Sequence, residues 1–382
     1  MENVGQQPAV STSTHAPTQA DLRAAYGGKS VLLTGHTGFK GTWLTLLLHD
    51  LGAKVTGYSL APEEPSMFSQ LELNVFCNHL IADVRDAARV RDAVKQSQPD
   101  FIFHLAAQAI VKESYEHPLA TIETNIVGTA NVLDAVRLEA KPCNVVVVTS
   151  DKCYENREWE FGYREDEPMG GHDVYSMSKG AAELVTQSYR RSFFDPKSAS
   201  KHGVFVASAR AGNVIGGGDW ARHRIIPDMV RAVSSGTPLA VRNPDAVRPW
   251  QHVLEPLGGY LLLGARLAGV GTSAPRASFC EGWNFGPRLE STRPVRDLAD
   301  ALVAGFEAAA WIDAHDPKAP HEATLLRLAI EKAFAKLGWS PRWDFEKTVQ
   351  QTVDWYSAHR RGSSSAALRE LTKAQIAAYL SS

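Results

Sequence analysis

The chain has 382 residues, a formal net charge of −2 and 44% apolar residues. This composition is that of an ordinary globular protein, and at roughly 100–200 residues per domain the length favours two or three domains. The near-zero net charge argues against a protein that binds nucleic acid through a basic surface. No apolar run approaches the ~20 residues that span a bilayer, so we expect neither nucleic acid nor a membrane as a partner.

Residues 1–22 are rich in Ser, Thr, Gln and Pro, and they lack the basic start and apolar block of a signal peptide. We predict a disordered extension here. The four cysteines form neither a CxxC pair nor a Cys/His cluster with zinc spacing, which predicts no metal site and no disulfide framework. A chain with these features is expected in the reducing cytoplasm.

From residue 30 to about residue 210, short apolar runs alternate with longer helical patterns. The predicted strands are Ser30–Thr34, Lys54–Tyr58, Leu80–Ala82, Phe101–Leu105, Asn144–Thr149 and Val204–Arg210. The predicted helices are Thr42–Leu51, Asp86–Ser97, Pro118–Leu138 and Tyr175–Phe194. This alternation predicts an α/β fold, a Rossmann-like doubly wound parallel sheet with helices on both faces. Ligands of such sheets bind beyond the carboxyl ends of the strands.

After residue 212 the alternation breaks. We predict helices at Ile225–Val233, Val295–Ala309 and Leu325–Leu337 within a smaller, mixed α/β lobe that carries the substrate site. The expected division is therefore a Rossmann domain over 23–212 and mainly a substrate lobe over 213–382. Whether strands of this lobe return to the main sheet is left open.

A glycine loop joins the first strand to the first helix, with the spacing GxxGxxG rather than GxGxxG. Glycine lets the backbone approach a ligand closely, and a helix N-terminus offers unpaired N–H groups to a phosphate. The loop therefore predicts a cradle for the pyrophosphate of a dinucleotide such as NAD. Its residues predicted to bind the cofactor are Gly35, Thr37, Gly38, Phe39 and Gly41.

The sequence gives a weaker prediction for the residues that bind the adenine end of the dinucleotide. No acidic residue follows the second strand at Tyr58-Ser59-Leu60, so this position does not decide between NAD and NADP. Asp83 and Val84, just past the third strand, are predicted at the adenine end, with a solvated turn aspartate as the alternative. Small residues after the fourth strand would let the dinucleotide pass close to the backbone, and the predicted contacts are Ala106, Ala107 and Gln108.

Tyr175 and Lys179 stand at i and i+4, on one face of a predicted helix. A phenol has a pKa of ~10, and a nearby ammonium favours the phenolate. We therefore predict that Lys179 lowers the pKa of Tyr175, so that Tyr175 can take a proton from a sugar hydroxyl.

Together, the glycine loop and the Tyr–Lys pair resemble the extended short-chain dehydrogenase/reductase family, over about Lys29 to Trp355. The resemblance implies NAD as cofactor and Tyr175 as the catalytic base. It also implies that Lys179 binds the nicotinamide ribose and that Ser150, after strand five, assists the tyrosine.

The residues after strand five narrow the resemblance to the sugar-nucleotide 4,6-dehydratases, in which an acid and a base follow the Ser or Thr. Here Ser150 is followed by Asp151 and Lys152, where most of that group carries Glu in the last place. A lysine at position 152 resembles the 4,6-dehydratases that act on CDP-glucose. Further strings shared with that branch are Cys153–Asn156, Glu167–Gly171, Gly216–Trp220 and Arg248–Val253.

The resemblance implies dehydration of a nucleotide sugar, by oxidation at C4, loss of water across C5 and C6, and return of hydride to C6. Asp151 would protonate the departing C6 hydroxyl, and its pKa is pulled upward by burial and downward by Lys152. Lys152 is either the base that removes the C5 proton or a charge that stabilises the C4 enolate.

Four further residues are predicted to contact the substrate: Asn125, Asn213, Arg224 and Arg248. The arginines suit a diphosphate but are equally suited to structural ion pairs. Asn125 either braces the site or makes a core hydrogen bond. Glu183, one turn past Lys179, is interpreted as structural.

Two rival functions are a nucleotide-sugar 4-epimerase or decarboxylase of the same family, and a non-catalytic NAD-binding sensor. An epimerase needs no acid at Asp151, and a sensor needs neither Tyr175 nor Lys179. The family also implies a homodimer or tetramer paired through the helices Pro118–Leu138 and Tyr175–Phe194.

Overall fold

The computed structural model describes residues 18–315 and 325–382. Seven parallel strands form the main sheet in the order β11-β6-β5-β4-β1-β2-β3. The strands of the described chain are β1 (Ser30–Thr34), β2 (Lys54–Ser59), β3 (Asn78–Ile81), β4 (Phe101–His104), β5 (Cys143–Val148), β6 (Val204–Ala211), β7 (Val214–Ile215), β8 (Leu239–Val241), β9 (Val247–Pro249), β10 (Gln251–His252), β11 (Gly282–Phe285), β12 (Thr292–Pro294) and β13 (Trp311–Asp313). The predicted α/β fold class, a Rossmann-like doubly wound parallel sheet, is confirmed.

Helices cover both faces of this sheet. They are α1 (Gln19–Tyr26), α2 (Phe39–Asp50), α3 (Met67–Gln70), α4 (Ala87–Ser97), α5 (Val111–Glu116), α6 (Pro118–Ile122), α7 (Gly128–Glu139), α8 (Val174–Ser192), α9 (Ala199–His202), α10 (Ile225–Ser235), α11 (Leu254–Leu267), α12 (Val295–Gly305), α13 (Phe345–Arg360) and α14 (Ser365–Ser381). None of the helices in the described ranges is long and apolar enough to cross a membrane.

The central strands β1, β4 and β5 are buried at nearly every position, and successive side chains of β1 enter different cores. In β1, Val31 and Leu33 belong to a core that includes α2, α11 and α13, whereas Leu32 belongs to a second core with α4 and α7. A strand covered on both faces must be apolar at every position, which is the pattern that identified it. The sheet is therefore the rigid layer on which the candidate site is built.

Residues from the C-terminal part of the chain complete this sheet. Strand β11 pairs in parallel with β6 at one edge, in the register Gly282 with Ser208 through Phe285 with Ala211. Helix α11 is buried along its whole length in the core on one face. The smaller strands form three separate pairs, β7 with β10, β8 with β13 and β9 with β12.

Two predictions of local structure are wrong. Helix α1 begins at Gln19, is capped by Thr18 and buries Leu22, so the last residues of the segment 1–22 are not disordered. The predicted helix Leu325–Leu337 is extended at its start, where Leu328 bridges to Tyr163, and only its last turns are helical. The part of the predicted extension before residue 18 lies outside the described residues.

The predicted long helix Pro118–Leu138 is continuous but not uniformly α-helical. A π-helical segment, Glu123–Val127, lies between α6 and α7. Such segments recur at functional sites because the extra residue turns a side chain away from the regular helix face. The residue turned inward here is Asn125, which is buried.

Candidate active site

The candidate site lies beyond the carboxyl ends of four adjacent strands, β1, β4, β5 and β6. The glycine loop follows β1, residues 105–108 follow β4, Ser150 follows β5 and Gly212 follows β6. These strands are neighbours in the sheet although they are distant in sequence. The topology therefore brings the separately predicted groups to one edge.

The glycine loop has the shape of a phosphate cradle. Gly35 has φ +76°, and a Cβ on it would lie 2.7 Å from the backbone nitrogen of Ala106. A Cβ on Gly41 would overlap the carbonyl oxygen of Gly35. Gly38 is the N-cap of α2, and no side chain of the described chain caps that helix end. The first amides of α2 are thus left for an external anion, which fits the pyrophosphate of NAD.

At the predicted adenine end, Asp83 lies just past β3 at the start of a turn, and its side chain is 26% exposed, so the choice between a cofactor contact and a turn aspartate stays a prediction. Its Oδ1 accepts the backbone N–H of Arg85 at 2.9 Å, and the Arg85 guanidinium donates to Oδ2 at 2.6 Å. The Arg85 hydrogen bonds hold the pKa of Asp83 below its ordinary value. Val84 is buried against Gly128, and Thr37 hydrogen bonds to Ser59 at 2.8 Å.

Asn125 holds the chain that follows β4. Its Oδ1 accepts the backbone N–H of Gln108 at 2.9 Å, and its Nδ2 donates to the carbonyl of Gln108 and to Ser178 Oγ, at 3.0 and 2.8 Å. All the donors of this buried amide are therefore engaged inside the protein. These contacts support the bracing interpretation rather than direct contact with a substrate. Ala106, two residues before Gln108, donates its N–H to Thr34 Oγ1 at 3.2 Å, and Ala107 is half-buried beside it.

Tyr175 and Lys179 lie on the first turns of α8 and are 7% and 6% exposed. Burial raises the pKa of Tyr175 to about 12, and the nearby Ser150 hydroxyl acts in the opposite direction. Burial also lowers the pKa of Lys179 to about 8. The expected net lowering of the pKa of Tyr175 is wrong for the chain by itself, because desolvation of the phenolate dominates, whereas the downward effect of Lys179 stays a prediction.

Ser150, Asp151 and Lys152 form a tight turn directly after β5. The turn Asp151–Cys153 is 3₁₀-helical, and Ser150 Oγ accepts the N–H of Lys152 at 3.3 Å. Ser150 Oγ also donates to Asp151 Oδ1 at 3.0 Å, and its hydroxyl lies close enough to Tyr175 to lower the pKa of the phenol. Ser150 therefore lies close to both the phenol and the carboxyl, which are the two groups predicted to move protons.

Asp151 is 2% exposed, and the direction of its pKa shift resolves the opposing effects expected from the sequence. Burial raises the pKa of Asp151 and outweighs the downward effects of Lys152, Ser150, Lys40 and Arg248. Its Oδ2 is buried and has no hydrogen-bond partner among the described residues. A carboxyl in this state is suited to hold a proton and donate it.

Lys152 is half-buried in the same turn. Its role, either as the base that removes the C5 proton or as a charge that stabilises the enolate, stays a prediction. Arg224 donates to Asp219 Oδ2 at 2.9 Å, so it makes an ion pair at the site. Arg248 donates to the Val247 carbonyl at 2.9 Å and is near enough to Asp151 to lower its pKa. Asn213, after β6, is half-buried, and its carbonyl accepts the N–H of Gln251 at 3.2 Å.

Two residues that the sequence analysis did not assign lie beside this constellation. Lys40 extends from the first turn of α2 over the ring of Tyr260, at 5.9 Å from its centroid. Burial lowers the pKa of Lys40 to about 7, and the charges that act on it include Lys179 and Asp151. A lysine in the first turn of the otherwise buried α2 is the signal that could have found it.

The described residues contain one group with the spacing for a cation: Glu113, Glu116 and His117. It lies at the end of α5, and two of its members are exposed. Exposed acidic groups of this kind are common without a bound ion, so the absence of a metal site stays a prediction.

The fold and the site define a Rossmann-like enzyme that binds a dinucleotide next to a Tyr–Lys pair. The chain belongs to the family described as GDP-mannose 4,6 dehydratase, whose family model matches residues 32–352. It is 47% identical over 357 residues to the CDP-glucose 4,6-dehydratase of Salmonella typhimurium, covering 93% of this chain and 97% of that relative. The predicted membership of the dehydratase group is confirmed.

More distant proteins share the fold. The dTDP-glucose 4,6-dehydratase of Xanthomonas campestris is 26% identical, with 85% of this chain and 92% of that protein covered. The structure of the dTDP-glucose 4,6-dehydratase of Streptomyces venezuelae with NAD bound has a TM-score of 0.71 at 22% identity, over 87% of this chain and 98% of that one. An epimerase of Methanothermobacter thermautotrophicus reaches a TM-score of 0.72 at 22% identity, over 91% and 98% of the two chains. The fold alone therefore does not separate dehydratases from epimerases.

Proposed function

We propose that this protein catalyses the NAD-dependent dehydration of CDP-glucose to CDP-4-keto-6-deoxyglucose. One observation carries the choice of reaction: a buried carboxyl, Asp151, accepts a hydrogen bond from Ser150 at 3.0 Å, and Ser150 lies close enough to Tyr175 to lower the pKa of the phenol. An enzyme that only oxidises and reduces C4 has no use for this second acid. The 47% identity to a CDP-glucose 4,6-dehydratase supports the choice of nucleotide.

The oxidation step depends on α8 and the glycine loop. NAD, when bound, supplies the hydride acceptor and places a positive charge near Tyr175. The amides at the start of α2 would hold the diphosphate of NAD, and Lys179 would bind the ribose while its positive charge stabilises the phenolate of Tyr175. Tyr175 then takes the proton of the C4 hydroxyl while Ser150 keeps the phenol in place.

The elimination step depends on the turn after β5. The C4 ketone acidifies the C5 hydrogen, which Lys152 removes in its role as base, and Asp151 gives its proton to the C6 hydroxyl, which leaves as water. The electron pair of the C5–H bond forms the C5=C6 double bond. Return of hydride to C6 and of a proton to C5 completes the 4-keto-6-deoxy sugar. Arg224, Arg248 and Asn213 are proposed to hold the substrate diphosphate.

The decisive experiment offers CDP-, dTDP-, UDP- and GDP-glucose to the purified protein with NAD or with NADP. We expect a 4-keto product, seen by its absorbance in alkali and by a mass lower by one water, with CDP-glucose and NAD. A 4-epimer or a decarboxylated product instead would support the epimerase or decarboxylase reading. Binding of NAD without turnover of any sugar nucleotide would support the sensor reading.

The protein is proposed to work as a homodimer or tetramer in the cytoplasm. Large apolar side chains are exposed on the helices that the family uses for pairing. They are Leu119 (72% exposed), Leu184 (55%), Val127 (45%) and Leu138 (42%). Pairing of these helices in a second copy would bury this surface.

A further inference from the structure

A buried ion pair lies beneath the turn that carries Asp151 and Lys152. Arg210 Nη2 donates to Glu183 Oε2 at 2.9 Å, and both side chains are 5% exposed. Glu183 lies on α8 and Arg210 on β6. Burial would raise the pKa of Glu183, but Arg210 and three hydrogen bonds outweigh it and keep the carboxylate ionised.

One side of this ion pair holds the chain just before the turn. Thr149 Oγ1 donates to Glu183 Oε1 at 2.6 Å, and Thr149 immediately precedes Ser150. Ser208, on the neighbouring strand β6, donates to the other oxygen, Oε2, also at 2.6 Å. Glu183 thus receives two hydroxyl hydrogen bonds of equal length, and only the bond from Thr149 reaches the turn.

The other side holds the chain just after the turn. Arg210 Nη1 donates to the hydroxyl of Tyr154 at 2.6 Å, and that hydroxyl donates to Asn284 Oδ1 at 2.7 Å. Tyr154 follows the turn Asp151–Cys153 directly and is 1% exposed. The segment between Thr149 and Tyr154 is therefore held at both ends by the same ion pair.

We propose that Glu183 and Arg210 are positioning residues that set Asp151 and Lys152 for the elimination step. The inference deepens the proposed dehydration and rests on it. Of the groups that oxidation at C4 uses, Tyr175 and Lys179 lie outside the held segment, and their helix start is fixed separately by the Asp173 cap and by Ser114. Only Ser150 lies within the segment, whereas both groups that elimination uses, Asp151 and Lys152, lie within it. Loosening the turn should therefore slow elimination more than oxidation, because a small misplacement of a reacting group is costly.

The test removes the two tethers and leaves the ion pair intact, since an unpaired buried charge would endanger folding. Thr149→Val and Tyr154→Phe each delete one hydroxyl at nearly constant volume. Ser208→Ala is the matched control, because it removes the equivalent hydrogen bond from the same carboxylate at a site away from the turn. In single turnovers with NAD and CDP-glucose, NADH absorbance reports oxidation and the alkali-sensitive ketone reports the completed reaction.

We expect Thr149→Val and Tyr154→Phe to lower the rate of elimination relative to oxidation by about tenfold, so that NADH accumulates. Ser208→Ala should keep the wild-type ratio. Equal slowing of both steps in the tether variants, or the same change of ratio in Ser208→Ala, would overturn the inference.

A second readout needs no cofactor or substrate. Hydrogen–deuterium exchange of the backbone amides of residues 150–154 should be faster in the two tether variants and unchanged in Ser208→Ala. Unchanged exchange in the tether variants would also overturn the inference. A wild-type protein that dehydrates no sugar nucleotide, yet shows faster exchange in the tether variants, would refute the proposed function while leaving the anchoring intact.

Discussion

Asp151 is the single residue on which the choice of dehydration depends. Asp151→Asn keeps the shape and the Ser150 hydrogen bond but has no proton to donate at this position. We expect oxidation of CDP-glucose to persist and elimination to fall by about 10²–10⁴-fold, the usual contribution of a general acid. The measurement compares NADH formation with release of the 4-keto product. Asp134→Asn, which removes a partly exposed partner of Arg137, is the control, and wild-type elimination in Asp151→Asn would remove Asp151 from the mechanism.

Gly212 gives the Asp151 carboxyl its space. A Cβ at residue 212 would lie 2.6 Å from Asp151 Oδ2, and no positive φ requires glycine there. Because the atom that must move is the end of a side chain, Gly212→Ala should fold normally but displace the carboxyl. We expect at least a tenfold loss of elimination with little change in melting temperature, since misplaced groups lose rate steeply.

The control for this substitution is Gly286→Ala, whose Cβ would meet its nearest neighbours, Ile330 and Leu328, only at 3.4 Å. It adds the same methyl group after the neighbouring strand β11. If the two variants lose elimination equally, the effect belongs to the added methyl group in general and not to Asp151.

Among the elements, α11 is joined to the C-terminal helix through a buried glutamate. Glu255 Oε1 accepts the backbone N–H groups of Arg342 and Trp343 at 3.0 and 2.7 Å, and Tyr379 of α14 donates to Oε2 at 3.2 Å. Burial outweighs these hydrogen bonds and raises the pKa of Glu255 to about 7. The junction between α11 and α14 should therefore weaken with rising pH.

The sign of this effect follows from proton linkage. Below the unfolded pKa of about 4.5, both states of Glu255 carry the proton and its full contribution to stability is present. As the pH rises towards about 7, the unfolded state loses its proton first, so stability falls, by roughly 3 kcal/mol in total. Glu255→Gln can accept from the same backbone N–H groups and donate to Tyr379 without titrating.

We therefore expect the free energy of unfolding of Glu255→Gln to rise relative to wild type between pH 5 and pH 8, as measured by urea denaturation. Glu370→Gln, which removes an exposed carboxylate from α14, controls for the loss of a surface charge. Parallel curves for Glu255→Gln and the wild type would show that Glu255 does not titrate in this range.

The central strands β1, β4 and β5 could be predicted because nearly all of their residues are buried and most are apolar, as Val145 to Val148 illustrate. The helix predicted at Leu325–Leu337 failed because Leu326 and Leu328 are buried at strand spacing, where the chain pairs with Tyr163. The start of α1 was missed because its signals are short: a Thr18–Asp21 capping box and an apolar face that includes Leu22.

Some residues of the candidate site could likewise be found from the sequence, and others could not. Tyr175, Lys179 and the residues after β5 could be found because they stand in compact motifs. Gly212 and Arg210 could not, since their roles depend on β6 lying beside β5 in the sheet. The pKa of Tyr175 was mispredicted because a motif shows the nearby ammonium but not the burial of the phenol.

For the whole molecule, the exposed apolar residues on α6 and α8 predict its oligomeric state. Leu119 is 72% exposed and Leu184 55% exposed, and each would contribute about 1.5–3 kcal/mol if buried against a second copy. An aspartate at either position would have to lose its hydration at the interface. We therefore expect the double variant Leu119→Asp/Leu184→Asp to shift the protein from a dimer or tetramer towards smaller species in sedimentation equilibrium at micromolar concentration.

The control is Val75→Asp, which changes a residue that is equally exposed, at 73%, but lies outside these helices. It should leave the oligomeric state unchanged. Since each subunit carries its own glycine loop, Tyr175 and Asp151, the dissociated variant should still bind NAD, so that loss of assembly can be told apart from loss of folding. If Val75→Asp dissociates the protein and the double variant does not, the subunits associate through a surface other than α6 and α8.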